Sequence, residues 1–132
     1  MTDTKGYNYF AIITEDAEMD LPQFESFLTI KPTSFKKMFE RGTLPKATSW
    51  EYSSGKLTNP YFFEEIEKLI AALKPHKEEF KKLKLAYPEL YFVLEVVIYL
   101  GDESPGLNLS KETIEFLNYL EAEIDCDIYN GK

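Results

Sequence analysis

The sequence predicts a two-layer α+β domain in which a four- to five-stranded, mainly antiparallel sheet carries its helices on one face. Three observations lead there. The first is the run Tyr91-Phe92-Val93-Leu94-Glu95-Val96-Val97-Ile98-Tyr99-Leu100, which holds ten residues with one charge and is stopped by Gly101-Asp102. Its β-branched and aromatic side chains read as a central strand with both faces largely covered. The second is the period-two alternation of Tyr7 to Thr14 and of Ile124 to Tyr129. The third is the recurrence of apolar residues at three- and four-residue spacing between these strands, the signature of helices with one buried stripe.

In chain order, residues 1–6 are polar and expected to fray, so the domain proper is expected over 7–130. The strand from Tyr7 places Tyr7, Tyr9, Ala11 and Ile13 on one face and Phe10 and Ile12 on the other. Asp20-Leu21-Pro22-Gln23 has the marks of a helix start: a capping acid, a proline in the first turn and a Gln at the third position. Leu21, Phe24, Phe27 and Leu28 form its inward stripe, and Pro32 requires the helix to stop near Thr29 to Lys31. A loop follows to Lys46, and a second strand is expected over Thr48 to Ser53, with Trp50 and Tyr52 on one side.

Asn59-Pro60 opens the longest helical region, striped by Phe62, Ile66, Leu69, Ile70 and Leu73. Pro75 removes a helical amide, so a second helix should restart there with His76, Phe80, Leu83 and Leu85 on its inner side. After the central strand come a Gly/Pro loop and a brief extended piece, Leu107-Asn108-Leu109. Ser110 caps the last helix, whose inward residues are expected to be Ile114, Leu117, Leu120 and Ile124. In the final strand Ile124, Cys126 and Ile128 alternate with Asp125, Asp127 and Tyr129, giving an apolar face and an acidic one. This order reads as two strand-helix-strand halves joined by the helices of 60–86.

A chain of 132 residues that is 44% hydrophobic has enough material for one core without disulfides or metals. The single Cys126 has no partner for an intramolecular bridge, and no secretory leader or membrane span is evident, so a cytoplasmic setting is expected. The net charge of −8 repels phosphate backbones, which argues against nucleic acid as a partner. Against that balance, residues 31–46 carry five basic residues (Lys31, Lys36, Lys37, Arg41, Lys46) and one acid, Glu40.

Several short signatures stand in a characteristic order: Tyr9-Phe10-Ala11-Ile12, Ile30-Lys31-Pro32-Thr33, Arg41-Gly42, Ser49-Trp50, Leu69 to Pro75, Val97-Ile98-Tyr99, Leu107-Asn108-Leu109-Ser110 and Ile124-Asp125-Cys126-Asp127-Ile128-Tyr129. Together they resemble the bacterial DUF4279 family of uncharacterised proteins over nearly the whole chain, from about Tyr7 to Tyr129. The resemblance implies an α+β fold and a bacterial setting. It assigns no catalytic residue, cofactor or metal.

Among candidate site residues, Asp125 and Asp127 share one face of a strand, about 7 Å apart along it. Such a pair can hold a cation or divide acid and base roles, but no third acid or His stands beside them at a ligand's spacing, so exposed surface charge is the plainer reading. Arg41, in the same basic loop as Lys37, has the planar fork that clamps a carboxylate or phosphate, but a solvated positive segment that pairs with the protein's own acidic face is the plainer reading; in a combined reading Arg41 or Lys37 reaches Asp127 and holds the loop over the sheet. Trp50 is read as core, with an aromatic ligand floor as its alternative. Cys126 is read as inert core, and the lone His76 lacks the partners of a catalytic triad. No phosphate-binding glycine loop or zinc spacing is present.

The function expected from these residues is non-enzymatic: an acidic domain that binds another protein, with its acidic face and the 31–46 loop as contact surfaces. Such a domain suits neutralisation of basic partners, toxins included, because complementary charge speeds and specifies encounter. The alternative is a small enzyme or ligand-binding domain with a pocket around Arg41, Trp50 and Asp127. A homo-oligomer built on an exposed strand edge is a third possibility.

Overall fold

The computed structural model describes residues 3–58, 63–106 and 108–131. The expected α+β class is present as an open, mixed and mostly antiparallel sheet of six strands. In chain order the elements are β1 (Lys5–Thr14), α1 (Leu21–Ser26), β2 (Ser34–Lys36), β3 (Thr48–Tyr52), β4 (Lys56–Thr58), α2 (Glu64–Leu73), α3 (Lys77–Ala86), β5 (Tyr91–Leu100), α4 (Lys111–Tyr119) and β6 (Glu123–Asn130). A turn of 3₁₀ helix, Lys74–His76, joins α2 to α3 where Pro75 interrupts the helical hydrogen bonding.

The strands lie in the order β2-β3-β1-β5-β6, with β4 beside the first residues of β1. β1 is antiparallel to β3, β4 and β5, while β6 runs parallel to β5 after the α4 crossover. Only the second half of the chain is therefore a parallel strand-helix-strand unit. The short strands β2 and β4, of three residues each, exceed the expected strand number, because a three-residue piece carries too little alternation to stand out.

Local signals hold where their partners are nearby in sequence. The Asp20 side chain accepts from Gln23 N at 3.2 Å and caps α1, and Ser110 Oγ accepts from Thr113 N at 3.1 Å and caps α4. α1 ends at Ser26, earlier than Pro32 alone demands, although Phe27 and Leu28 still pack against the core. β1 begins at Lys5 rather than Tyr7, and the buried Thr4 before it accepts from Gly101 N at 2.9 Å and donates to the Glu103 carbonyl. The start expected at Asn59-Pro60, the Phe62 of its stripe and Leu107 lie outside the described residues.

The core lies between the sheet and the helices. Phe80 of α3 meets Phe10 at 5.5 Å, Trp50 at 5.9 Å and Phe92 at 6.2 Å between ring centroids, so one helical side chain locks three strands. Ile66, Leu69, Ile70, Leu73, Leu83, Phe116, Leu117 and Leu120 complete that layer. Leu85 and Ile114, expected inside, are exposed: at about 3.6 residues per turn Leu85 falls on the side of α3 opposite the buried Phe80 and Leu83, and Ile114 falls at the margin of the stripe of α4. Between helices, Glu67 of α2 accepts from Ser110 Oγ and Thr113 Oγ1, both at 2.6 Å, and so fastens α2 to the start of α4. Glu79 accepts from Thr29 N at 2.7 Å and ties the end of the α1 region to α3.

Candidate functional site

The second face of the sheet has no helix over it among the described residues. Register decides what stands there. Tyr9 is opposite Glu95, which is opposite Asp125; Tyr7 is opposite Val97, which is opposite Asp127; and Tyr99 is opposite Tyr129. Because side chains alternate with period two, these residues project from one side, away from Phe10, Trp50 and Leu94. Tyr7 and Tyr9 stack at 6.3 Å, and Tyr99 and Tyr129 at 5.6 Å. Ala11, Val93 and Val97 are buried on this side without joining the main core.

Glu95, Asp125 and Asp127 form the chemical focus. One carboxylate oxygen from each lies within 4.8 Å of the others. None of the three makes an ion pair with a Lys or Arg among the described residues, whereas Glu51 on the same face has Lys36 at 3.5 Å. Burial raises the Glu95 carboxyl to about 7, and the hydrogen bonding and negative charge of Asp127 and Asp125 push in the same direction. Near neutrality the Glu95 carboxyl is thus partly protonated, with no cation beside it among the described residues. Their spacing would let a cationic head group, or a hard metal ion, sit among the oxygens. Burial, then the charges of Glu51 and Glu95, raise Tyr9, so its hydroxyl stays a neutral donor beside them.

Glu95 is the third acid that the spacing around Asp125 and Asp127 lacks in the sequence. It comes from thirty residues upstream, because β6 pairs with β5. Its signal was the lone charge in an otherwise apolar strand, visible in the sequence but with no partner until the strands are ordered.

The other candidates do not converge. Trp50 is core, on the helix side of β3, and stacks at 6.4 Å on Tyr52. Arg41 is exposed in the β2–β3 connection, where its amide donates to the Leu44 carbonyl at 2.8 Å. Lys37 lies in the same connection. β1 and β5 separate β3 from β6, so Arg41, Trp50 and Asp127 line no common pocket, and neither Lys37 nor Arg41 pairs with Asp127 among the described residues. The 31–46 segment is shaped rather than free: Phe39 N donates to the Pro45 carbonyl at 2.8 Å and Met38 N to Thr48 Oγ1 at 3.0 Å.

His76 lies 3.1 Å from Glu79 and 3.2 Å from Thr29 Oγ1, a structural contact between the start of α3 and the segment after α1. Cys126, expected in the core, is exposed, because α4 leaves the outer side of β6 uncovered. Burial, then the charges of Asp127, Asp125 and Glu95, raise its thiol, which disfavours the reactive thiolate. No helix among the described residues is long and apolar enough to cross a membrane.

Fold and site together define a two-layer α+β protein with helices on one side of the sheet and an open, carboxylate- and tyrosine-bearing surface on the other. The family model for the domain of unknown function DUF4279 matches residues 4–131, and the chain belongs to that family. No curated protein and no solved structure matches it.

Proposed function

We propose that this chain is a non-enzymatic binding domain whose open acidic face receives a basic protein. The observation that carries the reading is the convergence of Glu95, Asp125 and Asp127 without a cationic partner among the described residues. Like charges at this spacing oppose one another in the free protein, and a Lys or Arg of a partner would relieve that repulsion. The flanking Tyr7, Tyr9, Tyr99 and Tyr129 offer flat apolar bodies with polar tips, the side-chain type enriched in protein interfaces. Their rings also attract cations.

Neutralising a basic protein such as a toxin in a bacterial cytoplasm is a role that fits this surface. The exposed Phe39 and Leu44, at the tip of the basic β2–β3 connection, offer a second contact patch. Since a cation favours the ionised form of Glu95, binding should release a proton and tighten as pH rises through about 7.

The test is a pull-down from source lysate at low and high salt, with wild type beside the Asp125→Asn/Asp127→Asn double variant. A stoichiometric partner that salt releases and the double variant fails to hold is the expected result. A partner retained equally by the double variant, with its fold intact by circular dichroism, would remove the acidic face from the interaction. Added Ca²⁺ serves as a control: a rise in Tm at micromolar metal, lost in the double variant, would point to an ion instead.

A further inference from the structure

We propose that the partner contributes an extended segment that adds to the sheet alongside β6, and that this segment alternates basic with apolar residues. This rests on the reading that the partner is basic, and specifies how it is held. β6 is eight residues long and, among the described residues, pairs with β5 alone, so alternate residues from Glu123 to Tyr129 present N–H and C=O groups on its outer side that no other strand takes up. The opposite edge of the sheet differs. β2 is three residues long and carries Lys36, features that blunt an edge, whereas β6 has no Lys, no Pro and more than twice the length.

The two sides of β6 determine what can pair with it. On the open face stand Glu123, Asp125 and Asp127, with Glu95 behind them on β5. On the helix side Ile124 is 49% exposed and Ile128 is 59% exposed. Cys126 and Ile128 border a shallow apolar groove of about 210 Å³, lined also by Phe63, Ile98, Leu100 and Pro105. A strand laid along β6 presents alternate side chains to these two environments. Every second residue meets carboxylates, and those between meet isoleucine and the groove. The complementary sequence is therefore basic at one set of alternate positions and apolar at the other.

Charge also selects against the competing occupant. A second copy of this chain pairing β6 with β6 would bring Asp125 and Asp127 of one copy onto the same acidic row of the other, and like charges across strands oppose pairing. The acidic row thus protects the edge from self-association while remaining open to a basic strand. Main-chain hydrogen bonds would supply affinity, and the alternating side chains specificity.

The experiment uses fluorescence anisotropy with the full chain and three labelled, end-capped peptides: an alternating Lys-Val repeat as long as β6, a block isomer with all Lys before all Val, and the alternating peptide N-methylated at successive residues so that neither edge can donate. The alternating peptide should bind at least about tenfold more tightly than either control. Ile128→Ser, a change at an exposed position, should weaken the alternating peptide and leave the block isomer unaffected. Equal binding of all three peptides, lost together in the Asp125→Asn/Asp127→Asn variant, overturns strand addition while the acidic face stands as a charged contact. Absence of binding by every peptide likewise overturns strand addition, and the pull-down then judges the acidic face separately. A concentration-dependent dimer of the chain whose formation is abolished by Ile128→Ser would assign the edge to a second copy and overturn the proposal.

Discussion

On the helix side of the sheet, Phe10, Trp50, Phe92 and Leu94 are buried beneath Phe80 and Phe116. On the other side, built by the residues one step along the same strands, Tyr9, Glu95, Asp125 and Asp127 meet no helix among the described residues. The first face stabilises the fold by removing apolar surface from water. The second gathers like charges near an open edge, which opposes stability, and such an arrangement is expected where a surface serves binding instead. One strand, β5, contributes to both, so the division lies between alternate residues rather than between segments of the chain.

The contrast can be broken from the helix side with the largest effect. Phe80→Ala should destabilise the protein by about 3–5 kcal/mol, because it empties the space shared by Phe10, Trp50 and Phe92; chemical denaturation measures it. Glu67→Ala should cost about 1–3 kcal/mol by leaving Ser110 and the buried Thr113 without their acceptor. Burial pushes the Glu67 carboxyl up, but the hydrogen bonds from Ser110 and Thr113 outweigh it and hold the group below its ordinary value of 4.5. Its stabilisation is thus present above 4.5 and is lost as pH falls through the lower folded value. Thermal melts of wild type and Glu67→Ala should accordingly draw together in acid.

The open face should answer with the opposite sign. Glu95 sits at about 7 in the folded protein against 4.5 ordinarily, so the folded state holds an extra proton between those values and stability falls as pH rises through that window. Glu95→Gln should therefore raise stability at pH 8, by about 1 kcal/mol after allowance for solvent screening, and change little in acid. A fall in Tm at pH 8 would show that the carboxylate is satisfied in the free protein and would weaken the case for a binding surface. The smallest effect is expected at Leu85, where exposure of 72% puts Leu85→Lys within about 0.5 kcal/mol of wild type.

Much of the fold was legible from short-range chemistry. Asp20, Pro22 and Ser110 mark helix starts through contacts a few residues away, Pro75 interrupts a helix through its own missing amide, and the Tyr91–Leu100 run declares itself by composition. Burial was less legible at the margins. Cys126 and Ile128 are apolar and correctly phased, yet exposed, because phase says which way a side chain points and not whether another layer covers it.

The alternation of β6 into acidic and apolar sides was a property of the sequence alone, since the pleat turns successive side chains to opposite faces in any strand. The meeting of Glu95 with Asp125 and Asp127, the separation of Trp50 from them and the freedom of the β6 edge were decided only in the tertiary structure. Those depend on strand order and register between segments about thirty to eighty residues apart, and such pairings are set by the packing of the whole sheet against its helices rather than by any local pattern.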